Sequence, residues 1–128
     1  MAPFGEKRKW TRIERRIKID AILVDPEKRE GLFKLDAVWT KDVGGNGLGL
    51  VTRAHCMVGS TVDLHFQLPG TQKPIEAKGR IVWSKLEENS NDQYRIGVAF
   101  AEIKESDRQA IMRYVESEAQ KQSKSRTS

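Results

Sequence analysis

Apolar and polar residues alternate with a period of two along most of the chain up to Phe100, the signature of half-buried strands. In Ile17–Val24 the alternation puts Ile17, Ile19, Ala21 and Leu23 on one face. Leu32–Lys41 repeats the pattern with Phe33, Leu35, Ala37 and Trp39. Leu48–Val51 is a short strand, and Thr61–Leu68 a clear one, with Val62, Leu64, Phe66 and Leu68 inside and Asp63, His65 and Gln67 outside. Ile75–Ser84 and Gln93–Phe100 make the next pair, facing inward through Ile75, Ala77, Ile81 and Trp83, then Tyr94, Ile96, Val98 and Phe100. Turn-forming stretches separate the strands: 25–31, the glycine-dense 42–47, Gly59, Pro69-Gly70 and the polar 87–92. The period then changes. Ser106-Asp107-Arg108-Gln109 has the form of a capping box, and Ala110, Ile111, Tyr114 and Val115 recur at helical spacing behind it.

These elements predict an all-β domain: a six-stranded antiparallel β-barrel with a C-terminal α-helix, at about 105–119, over an open end or flank. Closure removes exposed strand edges. The predicted organisation is a flexible arm over 1–11, one domain over 12–118 and a disordered tail over 120–128. The length of 128 residues suits one domain, and 38% apolar with 32% charged residues suits a globular chain. No apolar run approaches the roughly 20 residues that cross a bilayer, so no transmembrane segment is expected. The first ten residues lack the apolar middle of a secretory signal, and Cys56 is the single cysteine. Both point to the cytoplasm. Nothing in the pattern separates a monomer from a homodimer.

Charge changes the picture through its placement. The segment Glu6–Lys18 holds seven basic and two acidic residues and so carries the whole net charge of +5. A cationic arm on a neutral body implies a local anion site. Enzyme chemistry is short of parts. His55 and His65 sit in different contexts, no ligand spacing suggests a metal, and Cys56 has no assembled base. The glycine run lacks the Lys-Ser/Thr ending of a phosphate loop. The chain is read as a binding protein, not an enzyme, with no cofactor and no metal.

Two features remain: Arg12-Ile13-Glu14-Arg15-Arg16 immediately before a strand, and Asp42-Val43-Gly44-Gly45-Asn46-Gly47 at the end of one. Taken alone, the first is a solvated basic stretch and the second a tight hairpin whose glycines supply positive φ. Together, in this order, they resemble the PilZ domain family of bacterial cyclic-di-GMP receptors. That family carries Arg-x-x-x-Arg before its first barrel strand and Asp/Asn-x-Ser-x-x-Gly after the next. Arg12 and Arg16 fill the arginine positions; Asp42 and Gly47 fill the ends of the second motif, and Gly44 stands at its serine. The resemblance extends through Val58–Leu64, Gly79–Trp83 and Tyr94–Phe100 to about Val115. It implies a PilZ-like split barrel that serves second-messenger signalling, with cyclic-di-GMP as ligand and a downstream protein partner.

The chemistry fits such a ligand. Arginine forks onto phosphate oxygens or the O6/N7 edge of guanine and stacks on bases. Asp42 can accept from guanine N–H groups. The glycines, Gly44 and Gly47 among them, let backbone come close. Arg15 and Arg8 are auxiliary contacts, and Trp10 either stacks on a guanine or packs on the barrel wall. Trp39 and Trp83 are assigned to the core. Loss of the serine hydroxyl at Gly44 costs about 0.5–1.5 kcal/mol of binding, or points to a ligand-independent adaptor. A nucleic-acid-binding barrel is a third reading, and it lacks a surface row of aromatic residues.

Overall fold

The computed structural model describes residues 12–24, 31–35, 38–53, 55–88 and 90–127. The predicted arm over 1–11, with Arg8 and Trp10, lies outside them, as do the side chain of Arg12 and residues 25–30 of the predicted turn.

Eight strands form one antiparallel sheet: β1 (Arg12–Glu14), β2 (Asp20–Val24), β3 (Gly31–Lys34), β4 (Trp39–Gly44), β5 (Gly47–Thr52), β6 (Thr61–Phe66), β7 (Ile75–Leu86) and β8 (Tyr94–Ile103). One helix follows, α1 (Glu105–Thr127). The mostly β, antiparallel architecture with a C-terminal helix is the one the alternation predicts; the strand count is two higher. The run Leu32–Lys41 divides into β3, which pairs with β2, and β4, which pairs with β1 and β5. The arginine segment itself supplies the other added strand, β1.

The strand order is β1-β4-β5-β8-β7-β6-β2-β3, so β1 and β3 are the outer strands. The chain between β1 and β2 spans the gap that this order leaves. Lys18 bridges to Trp39, the Thr40 N–H donates to Ile17 O at 2.9 Å, and the Ile19 N–H donates to Val38 O at 3.4 Å. Residues 12–24 therefore form a kinked ribbon held to β4 by its first half and to β6 by its second. The barrel is split at this seam rather than closed by a continuous ladder.

The core follows the alternation closely in the middle of the sheet. Leu48 and Leu50 from β5, Val62 and Leu64 from β6, Ile81 from β7, and Ile96 and Val98 from β8 are all buried. Burial of such a side chain stabilises by roughly 1.5–3 kcal/mol. Ile111 and Val115 bring α1 into the same cluster, and the helix packs against β1 and β4. Cys56 is buried there as well, and desolvation pushes its thiol pKa up.

Four expectations are corrected. The helix begins at Glu105, as expected, but without the Ser106 capping box: the N–H groups of Asp107 and Arg108 both donate to Lys104 O, and Gln109 reaches Glu105 at 3.0 Å instead of capping Ser106. Glu105 and Asp107 favour the positive end of the helix dipole there. At its far end α1 runs to Thr127, beyond the predicted end near 119.

Trp83 is not a core residue. The β7–β8 register shifts between Ile81 and Trp83, and the extra residue leaves both Val82 and Trp83 facing outward, 49% and 41% exposed. Trp39 is likewise only half buried, because the neighbouring register shift in β4, between Thr40 and Asp42, turns Thr40 inward in its place.

Candidate functional site

The arginine segment and the glycine hairpin meet by strand pairing. In the β1–β4 ladder Arg12 stands opposite Gly44, Ile13 opposite Val43, and Glu14 opposite Asp42. Ile13 and Val43 are buried, so Gly44, Glu14 and Asp42 belong to the outer face, and the backbone of Arg12 runs opposite Gly44. The partnership depends on β1 forming a strand, and on the seam bonds that hold residues 15–19 against β4.

Following the registers across the sheet gives an outer row Glu14, Asp42, Gly49, Gly97 and Trp83 on five successive strands. A second row beside it runs Arg12, Gly44, Gly47, Ala99 and Arg80. The middle of both rows is nearly bare. A Cβ on residue 49 would sit 2.9 Å from the Asp42 Oδ1, and one on residue 97 would sit 2.7 Å from Trp83 Cδ1. The Asp42 carboxylate therefore leans over Gly49, and the Trp83 indole lies on Gly97. Between them is a groove of about 300 Å³, with Asn46, Gly47 and Val82 also on its walls. It has a carboxylate at one end, an indole at the other and a backbone floor.

Gly47 serves a different need from the one its turn suggests. Its φ is not positive; among the described glycines Gly59 and Gly70 have that geometry. What residue 47 lacks is room, because a Cβ there would collide with the carbonyl oxygen of Val98. The turn proper is Gly45-Asn46, and Gly44 is the last residue of β4.

The arginines separate. Arg16 lies over the ring of Trp39, with Cζ 4.2 Å from the centroid. It borders two depressions beside the seam: one of about 350 Å³ with Glu14, Thr40 and Lys41, and one of about 810 Å³ with Lys18, Ile19, Lys34 and Val38. Arg15 turns away from the groove onto α1. Its Nε donates to the Tyr114 hydroxyl at 3.2 Å, and it forms an ion pair with Glu118, which also pairs with Lys121 at 3.2 Å. The Tyr114 hydrogen bond leads the causes that push its guanidinium pKa up. Thr40 anchors the backbone here: its hydroxyl accepts from the Ile17 N–H at 2.8 Å and donates to Arg15 O.

Of the predicted site residues, Asp42, Gly44 and Gly47 share one outer face, Arg12 pairs with Gly44 through its backbone, Arg16 lies farther along the same ribbon, and Arg15 is spent on the helix. Trp83, Gly49, Gly97 and Thr40 were not anticipated. A sequence signal for the two glycines exists: Leu48 and Leu50 flank Gly49 as inward residues, as Ile96 and Val98 flank Gly97. Both glycines thus occupy outward positions on strands, where polar side chains are the norm.

A depression of about 470 Å³ on β6, β7 and the end of β8 is lined by Asp63, His65, Glu76, Lys78, Glu102 and Lys104. Within it His65 Nδ1 lies 3.4 Å from Glu76, and Lys78 pairs with Asp63 at 4.0 Å. Among the described residues no three His, Cys, Asp or Glu side chains could hold a metal ion, and no helix is long and apolar enough to cross a membrane.

The class defined by this fold and face is a split antiparallel barrel with an arginine strand laid beside an Asp-glycine hairpin. The chain belongs to the PilZ domain family, whose profile matches residues 6–117. No curated protein matches it in sequence. Among solved structures it is similar to the Bacillus subtilis inhibitor of motility MotI/DgrA, with TM-score 0.71 and 16% identity over 89% of this chain. The chain spans about half, 52%, of that structure. It is also similar to the PilZ domain of YcgR from Escherichia coli with c-di-GMP, with TM-score 0.59 and 11% identity over 92% of this chain and 98% of the other. At these identities the likeness is one of fold.

Proposed function

We propose that the chain is a cyclic-di-GMP receptor or adaptor in bacterial second-messenger signalling, a binding protein rather than an enzyme, working in the cytoplasm. The observation that carries this reading is the register of β1 on β4, which sets Arg12 beside Gly44 and Glu14 beside Asp42. Family membership and the fold shared with a PilZ domain bound to c-di-GMP support it.

Each group has a distinct task in this reading. Arg12 and Arg16 fork onto the phosphates or the O6/N7 edge of a guanine, as lysine could not. Asp42 accepts from guanine N1–H and N2–H₂. Gly44 and Gly47 let the ligand approach the backbone, and Trp83 offers a stacking face across the groove. Arg8 and Trp10 complete the arm that closes over the nucleotide. Arg15 reports the closure to α1 instead of touching the ligand, and the changed surface is what a downstream protein partner reads.

Calorimetry on the wild type and on Arg16→Ala tests this. Loss of charge-assisted hydrogen bonds worth about 1.5–3 kcal/mol should weaken binding by roughly 10- to 150-fold. Folded wild-type protein that gives no heat at high ligand concentration would sink the receptor reading. A second reading, a ligand-independent adaptor, is favoured by Gly44, which has no hydroxyl to offer. A blank titration accompanied by retained partner binding would select it.

A further inference from the structure

We propose that Trp39 is a positioning residue, which holds the Arg16 guanidinium ready for an anionic ligand before that ligand arrives. The inference rests on Arg16 being a ligand contact, as argued above, and adds how its side chain is placed.

Four observations on one dipeptide carry it. Trp39 and Thr40 open β4, immediately before the register shift that separates them from Asp42. Thr40 fixes the backbone on both sides of Arg16: it donates its N–H to Ile17 O at 2.9 Å, accepts from the Ile17 N–H at 2.8 Å through its hydroxyl, and donates that hydroxyl to Arg15 O. The Lys18↔Trp39 bridge secures the next residue. Trp39 then takes the side chain, with its ring 4.2 Å from Arg16 Cζ.

The electrostatic setting explains why such a seat is needed. Arg16 shares its surroundings with Lys18, Lys34 and Lys41, while of the two acids there Asp20 is paired to Lys34 at 3.0 Å and Glu14 alone remains to face the other cations. Among these cations an unsupported guanidinium would swing outward into water. An indole face attracts it through the ring quadrupole and restricts its rotamers without neutralising its charge. Stacking uses the face of the guanidinium, and its N–H groups lie in the plane and remain able to fork onto an oxyanion or a guanine edge. Ordering of the side chain before binding removes part of the entropy that binding would otherwise cost.

A cation–π contact of this kind corresponds to about a two- to fivefold change in affinity. Calorimetry with cyclic-di-GMP should find Trp39→Leu weakened by that factor and Trp39→Phe close to wild type. In an Arg16→Ala background Trp39→Leu should add nothing. Proton NMR of the unliganded protein supplies a readout independent of binding: the Arg16 Cδ protons should be shifted upfield by the ring, keep part of that shift in Trp39→Phe, and lose it in Trp39→Leu. Thermal melts of each variant confirm folding, and Trp39→Phe remains informative should Trp39→Leu unfold. Multiplicative losses in the double mutant, unchanged or tighter binding of Trp39→Leu, or Arg16 protons without a ring shift would each overturn the proposal. A ring shift with no ligand heat in the wild type would instead overturn the receptor reading and, with it, any ligand role for the stack.

Discussion

Two glycine-to-alanine substitutions, one strand apart, should separate scaffold from site. At Gly97 the added Cβ lies 2.7 Å from Trp83 Cδ1 and closer still to the indole nitrogen, where ordinary carbon contacts are about 3.5–4.0 Å. The indole must retreat by about 1.5 Å, and it can, because Trp83 is on the surface. A side chain pushed off its preferred rotamer costs about 0.5–1.5 kcal/mol. At Gly47 the obstacle is backbone: the Val98 carbonyl, with Val98 C and Ala99 Cα both 3.2 Å away. That strand cannot step aside without breaking the β5–β8 ladder, so the cost should reach the upper end of overpacking, about 3 kcal/mol. For a domain stable by roughly 5–15 kcal/mol the difference is large. Urea denaturation should therefore show Gly97→Ala nearly intact and Gly47→Ala severely weakened. Gly97→Ala should still lose ligand affinity, since moving a stacking aromatic away removes on the order of 1 kcal/mol or more, about fivefold. Equal destabilisation of the two variants would refute the assignment of Gly47 to backbone contact and Gly97 to a movable side chain. Unaltered affinity in a folded Gly97→Ala would remove Trp83 from the site.

Gly44→Ser restores the family's hydroxyl and should tighten cyclic-di-GMP binding by up to about tenfold in calorimetry; an unchanged constant would show that position 44 does not face the ligand. Arg15→Ala should leave the affinity within about twofold, while backbone amides around Tyr114 and Glu118 exchange faster with solvent. A loss as large as that of Arg16→Ala would make Arg15 a direct contact after all. Cys56 is buried and its thiol pKa raised by desolvation, so a thiol reagent at pH 8 should label native protein far more slowly than protein in urea. Comparable rates would place Cys56 at the surface.

Much of this protein is written in local pattern. Alternation identified the inward faces of β6 and β8, because a side-chain period of two leaves one choice of buried face once a strand has an apolar side. The helical spacing of Ala110, Ile111, Tyr114 and Val115 placed the helix, and Arg12, Arg16, Asp42 and Gly47 together with the later strands resembled the family. The charge of the entry segment already implied an anion.

Pairing was not written there. That Arg12–Glu14 becomes a strand on β4, that the next residues bridge the seam, and that Leu32–Lys41 divides between two partners all depend on contacts between residues far apart in the chain. Register shifts had the largest consequence. An extra residue in a ladder reverses which face the following side chains occupy, and no local signal marks where it falls. One such shift moved Trp83 from the core to the groove, and another left Trp39 under Arg16. The motif residues were thus legible from the sequence, and the aromatic surfaces around them were decided by the tertiary fold.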